Sequence, residues 1–130
     1  MSTSTMPEAS AKKAEKPHTY GNYINGRQVK AETGETFASY NPAKTDEVIG
    51  YFAASTPKDV KDAVDAAAKA FPAWKRTPAP HRAEILLKAA HLLESRKEEL
   101  AQTMTREMGK VIKEARGDVQ EAIDMAKYMA

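Results

Sequence analysis

The stretch EVIGYFAASTPKDVKDAVDAAAKAF, residues Glu47–Phe71, changes its hydrophobic period part-way along. Its first half is a β-prone run from Val48 to Phe52, set off upstream by the chain-breaking pair Asn41-Pro42. From Ser55 the period becomes 3.6. Thr56 suits an N-cap, Pro57 suits the first helical position, and Asp59 stands at the capping-box spacing. Val60, Val64, Ala67 and Phe71 then share one face, and Pro72 is expected to end the helix. The switch divides the chain into strands before Ser55 and helices after it.

Working upstream, YGNYINGRQV places Asn25-Gly26 between two short apolar-bearing runs, and that dipeptide accepts the positive φ angles of a type I′ hairpin turn. Thr33-Gly34-Glu35 marks a second turn ahead of TFASY. The front of the chain therefore reads as short antiparallel strands. Residues 1–19 open with MSTSTMPEASAKKAEKP, which is small, polar and without apolar period; a disordered tail is expected there, with residues 20–130 as the folded part.

Downstream, a second helix begins within TPAPHRAE, directs Ile85, Leu86, Ala89, Leu92 and Leu93 inward, and stops near Ser95 or Arg96. A third aligns Leu100, Met104 and Met108 and meets Gly109, where a left-handed C-terminal cap costs least. The last helix restarts near Val111, with Ile112, Ala115, Val119, Ala122, Ile123 and Ala126 as its stripe and Met125 and Met129 beside it. It reaches Ala130 without a stop signal, so its apolar tip is expected to continue into a partner surface or a further element.

Composition narrows the function classes. With 42% hydrophobic residues, a 130-residue chain can build one core. Charged residues nearly cancel to a net +2, so no strong field favours nucleic acid or an anionic membrane. No apolar run approaches the roughly 20 residues of a membrane helix, and a cytoplasmic protein is expected. There is no cysteine, hence no disulfide and no thiol nucleophile among these residues.

The glycines form neither G-x-G-x-x-G nor a P-loop. His18, His81 and His91 are scattered between the tail, a helix start and a solvated face, and read as structural or exposed. No serine or threonine has histidine and carboxylate partners at triad positions. The methionines at helical spacing read as core filler, and Trp74 as an anchor packing a helix end onto the core. Chemistry alone therefore yields no catalytic residue.

The order of segments supplies more. Tyr23-Ile24-Asn25-Gly26, Asn41-Pro42 with Glu47-Val48-Ile49-Gly50, Ala70-Phe71-Pro72-Ala73-Trp74, Arg82 before the Leu-rich helix, and Glu107-Met108-Gly109-Lys110 occur in the order and spacing of one family. From Tyr20 to Ala130 the chain resembles the N-terminal part of the aldehyde dehydrogenase superfamily, with a weaker leaning to its semialdehyde-oxidising branch. The resemblance implies an α/β fold: the N-terminal part of a Rossmann-like NAD(P)-binding domain, which in isolation is an α-rich segment with a short antiparallel β-hairpin front.

Family members oxidise aldehydes to carboxylic acids with NAD or NADP. A cysteine thiolate attacks the carbonyl, hydride passes to nicotinamide, and a glutamate activates water to release the acyl group. In the family these groups, the cofactor lysine and the glycine-containing turn under the pyrophosphate lie further along. The resemblance thus implies no catalytic and no cofactor-binding residue within this segment, no bound NAD or NADP for the chain alone, and an aldehyde substrate and a homo-oligomer for a complete enzyme.

Two carry-overs concern particular residues. A monovalent cation in some members matches Ser39, the Tyr40 carbonyl and Glu107, although Glu107 can equally hold the helix end or pair with a lysine. A channel-lining position matches Glu121, whose alternative is a solvated surface charge. The competing expectation of another class is a truncated paralogue acting as a non-catalytic protein-interaction module.

Overall fold

The computed structural model describes residues 16–130, so the expectation for residues 1–15 lies outside the described residues. The front of the described residues holds five strands: β1 (His18–Tyr20), β2 (Asn22–Ile24), β3 (Arg27–Val29), β4 (Thr36–Asn41) and β5 (Lys44–Ala53). Asn25 and Gly26 take φ of 51° and 76° and join β2 to β3 as an antiparallel hairpin, as the Asn-Gly signal requires. At the second turn Gly34, with φ 74°, donates its N–H to the Ala31 carbonyl at 2.8 Å.

A three-stranded sheet in the order β1-β5-β4 carries the rest. β4 and β5 are antiparallel, but β1 runs parallel to β5, with His18 opposite Gly50 and Tyr20 opposite Phe52. His18 and Thr19 thus belong to a strand and not to the tail expected over residues 1–19. The reason lies across the sheet. Gly50 leaves open the space that Tyr20 fills, since a Cβ there would sit 3.0 Å from the Tyr20 ring, and that ring stacks on Phe52 at 5.0 Å. A polar His-Thr-Tyr run advertises none of this.

Four helices follow: α1 (Pro57–Arg76), α2 (Ala79–Ser95), α3 (Lys97–Met108) and α4 (Ile112–Met129). The α1 cap forms as its sequence spacing requires: the Thr56 side chain accepts the Asp59 N–H, and the Asp59 carboxylate accepts the Thr56 N–H at 2.7 Å. The same buried carboxylate accepts the Glu32 N–H at 3.0 Å, pinning the loop after β3 to the helix start.

Pro72 does not end α1, which runs on to Arg76 before Thr77 donates to the Trp74 carbonyl. Proline removes one main-chain donor, but its fixed φ is itself helical, so the next turn can continue. The face expected to point inward is also open: Val60, Val64 and Phe71 are exposed, and Trp74, expected to pack onto the core, is 44% exposed. α1 rests on β2.

The core sits between α2, α3 and α4. Ala101, Ala115, Val119 and Ile123 are buried, with Leu93, Leu100, Met104 and Ile112 packed around them. Along α2 it is Ala90 that is fully buried, while Ile85, Leu86 and Leu92 stay exposed, so the inward face is turned from the expected one. Small side chains at Ala90, Ala101 and Ala115 bring the helix backbones close, which selects an alanine seam over the bulkier leucine face. Ala122 is exposed, and Met108, Met125 and Met129 are exposed and so are not core filler. No helix among the described residues is long and apolar enough to cross a membrane.

Candidate functional site

The β4–β5 ladder loses its register twice in succession. Ser39 pairs with Gly50, Tyr40 with Val48 and Asn41 with Lys44. Ile49 is therefore an extra residue on β5, and Thr45–Glu47 are three more. Such bulges bend a strand and re-aim side chains. Here they bring Glu47 to Asn41, whose Nδ2 donates to Glu47 Oε2 at 3.1 Å. Asn41 is buried, and its Oδ1 accepts the Ala43 N–H at 2.9 Å, which shapes the turn at Pro42.

Glu47 also reaches the last turn of α3. Arg106 donates to Glu47 Oε1 from Nη2 at 2.5 Å and from Nε at 3.1 Å, across 59 residues of sequence. The guanidinium first, and the Asn41 amide second, hold the Glu47 carboxyl below its usual range. One turn later Gly109 closes α3 with φ 73°, its N–H donating to the Thr105 carbonyl at 3.0 Å. A Cβ on Gly109 would lie 2.9 Å from Pro42 Cγ, so the helix end abuts the β4–β5 turn.

The expected cation ligands fall at this junction. Ser39 is half-buried and Tyr40 exposed on β4, while Glu107 is exposed on the last turn of α3, which packs against β4. The two elements are brought together, yet the α3 side chain that bonds at this junction is Arg106, the neighbour of Glu107, and it reaches Glu47 of β5, which in turn holds Asn41 of β4. Among the described residues the Glu107 side chain makes neither a hydrogen bond nor an ion pair. A hydroxyl, a backbone carbonyl and a carboxylate are the types of oxygen donor that a hard cation takes.

Glu121 lies on the exposed side of α4, away from the buried seam of Ala115, Val119 and Ile123. It adds to the acidic surroundings of Lys110, whose ammonium is raised chiefly by its hydrogen bond to Asp118 and further by the fields of Asp118, Glu114 and Glu121. A cleft of about 700 Å³ along β1, β3 and the Ala31–Thr36 turn includes none of Ser39, Tyr40, Glu107 or Glu121.

Residues 28–130 match the model of the aldehyde dehydrogenase family. The chain belongs to the aldehyde dehydrogenase family. Malonate-semialdehyde dehydrogenase of Bacillus pumilus is 48% identical over 109 residues, which cover 84% of this chain and 22% of that protein. Alpha-ketoglutarate semialdehyde dehydrogenase of Haloferax volcanii is 46% identical over 109 residues, covering 84% of this chain and 23% of its own. A crystal structure of NAD-dependent aldehyde dehydrogenase from Sinorhizobium meliloti superposes with a TM-score of 0.81 at 36% identity, over 85% of this chain and 22% of that one. The chain thus spans under a quarter of the length of these relatives.

Within the aldehyde dehydrogenase family the described residues form the N-terminal part of the Rossmann-like cofactor domain. The resemblance named Ser39, Tyr40 and Glu107, which lie on β4 and α3, but not Asn41, Glu47 and Arg106, which make the contact. Asn41-Pro42 was visible as a turn and Arg106 stood beside a singled-out glutamate. Nothing in the sequence pairs Glu47 with Arg106, because that contact depends on a bulge and a helix packing.

Proposed function

We propose that this chain is the N-terminal portion of an NAD(P)-dependent dehydrogenase that oxidises a semialdehyde to a carboxylic acid. The observation that carries this reading is the continuous family match over residues 28–130, joined to close identity with semialdehyde dehydrogenases. The reaction needs a thiolate, a base and a nucleotide site. These 130 residues hold no cysteine, so the reacting groups come from residues other than these and the chain alone does not turn over. Its own part is to build the strand and helix flank of the cofactor domain within an enzyme that assembles as a homo-oligomer.

Two site roles accompany this reading. Ser39, the Tyr40 carbonyl and Glu107 hold a monovalent cation at the junction of β4 and α3. The exposed Glu121 borders the substrate channel and sets its charge.

The test replaces the matching N-terminal segment of the Bacillus pumilus enzyme with residues 20–130 of this chain. NADH formation from malonate semialdehyde is followed for the chimera and for the chain alone. Turnover by the chimera only is expected; turnover by the chain alone, after contaminating dehydrogenase is removed, or a folded chimera without turnover, sinks the reading. In the same chimera Glu121→Gln lowers KM for this anionic substrate by a few-fold at unchanged kcat, as loss of a screened like charge requires. An unaltered KM removes Glu121 from the channel.

A further inference from the structure

The described residues pack as a strand region and a three-helix bundle, and α3 on β4 is the close packing between the two. That junction is small and polar. It consists of the Asn41–Glu47–Arg106 chain of hydrogen bonds and the contact of Gly109 with Pro42. Glu47 is its central member, because one carboxylate oxygen faces the bulged strand and the other faces the helix. Removing the Asn41 contact frees only the strand side, and removing Arg106 frees only the helix side.

We propose that Glu47 is a positioning residue that sets how the last turn of α3 lies on the Ser39–Tyr40 bulge. The bulge and the ion pair are interdependent. Four residues of β5 leave the ladder, and without a partner for Glu47 their excess length has no fixed course. Arg106 supplies that partner with two donors, Nε and Nη2, that converge on the single oxygen Oε1 and so limit where the guanidinium can lie. Since Glu107 follows Arg106, the same contact places the Glu107 backbone relative to the Tyr40 carbonyl. In this respect the proposal rests on the cation reading given above, with Glu47 acting through Arg106 and not itself as a ligand.

The experiment uses the full chain and two readouts. Amide hydrogen exchange at residues 39–47 and 104–109 reports the junction. Sodium NMR linewidth, with sodium chloride exchanged for choline chloride at constant ionic strength, reports the ion. Glu47→Gln is expected to speed exchange on both sides of the junction and to weaken sodium binding, each by roughly three- to tenfold, the range for loss of a partly exposed charge-assisted pair. The charge exchange Glu47→Arg with Arg106→Glu restores both in part. Glu107→Gln abolishes the sodium response and leaves exchange unchanged.

Unchanged exchange in Glu47→Gln overturns the proposal, as does unchanged sodium affinity when the parent chain binds the ion. A parent chain without sodium response ends the cation reading instead. Exchange alone then decides the role of Glu47: faster exchange on both sides of the junction supports it, and faster exchange on one side only refutes it.

Discussion

Gly109 shows how one residue can serve two requirements. Its φ of 73° closes α3 in the left-handed region, and its missing side chain lets the helix end meet Pro42. Left-handed backbone costs a side-chain-bearing residue roughly 1–2 kcal/mol. Gly109→Ala is therefore expected to lower stability in urea by at least about 1–2 kcal/mol, with the Pro42 contact adding to that cost. Gly26→Ala, whose added Cβ meets nothing within 4 Å, carries the backbone cost alone and is the control. Equal losses would mean that the Pro42 contact contributes nothing. The cap was legible in the sequence because a glycine after an aligned apolar stripe has a local cause. The Pro42 contact was not, since it joins residues far apart in the chain.

At the scale of elements, α3 and α4 are held by an apolar seam and a charged rim. Arg116 donates to Glu98 at 2.8 Å from both Nε and Nη2. The guanidinium, followed by the Gln102 amide, lowers the Glu98 carboxyl to about 2. The folded value lies below the unfolded value of 4.5, so this pair's contribution to stability is present above pH 4.5 and is lost as pH falls towards about 2. Carboxyl NMR titration should find Glu98 among the last groups to protonate, and Arg116→Gln should move it most of the way towards the ordinary carboxylate range, the Gln102 amide still lowering it. If Glu98 titrates with the exposed glutamates in the parent chain, the pair is absent in solution. Both partners are about half-exposed, so high salt should weaken the effect. Helix existence on this side was legible from period, and the end of α3 from Gly109. Partner choice was not, because a surface arginine has several carboxylates in reach until the helices are packed.

For the whole molecule, Ile123 stands out as a large side chain that is fully buried. It closes the seam formed by Ala101, Ala115 and Val119, where the helices approach too closely to rearrange around a hole. Ile123→Ala should cost about 2–5 kcal/mol in a urea titration, and the same change at the exposed Ile85 should cost far less. Comparable losses at both sites would place the core elsewhere. With so small a core, wide apolar faces on α1 and α2 remain exposed among the described residues. That distribution agrees with a chain spanning under a quarter of the length of its relatives.

The sequence by itself determined what is local: the switch from strand to helix at Ser55, the Asn25-Gly26 turn, the Thr56–Asp59 cap, the Gly109 stop and the ordered motifs that mark the family. The first four are set by dihedral preference or by hydrogen bonds within a few residues, and the motifs mark the family by their order and spacing. Only the tertiary structure decided that β1 pairs in parallel over Gly50, that α2 packs by Ala90, and that Glu47 meets Arg106. The last two depend on which surfaces are within reach after the helices have formed, and the first depends on a ring filling the space left across a sheet by an absent side chain. Such long-range choices leave no periodic trace in the chain.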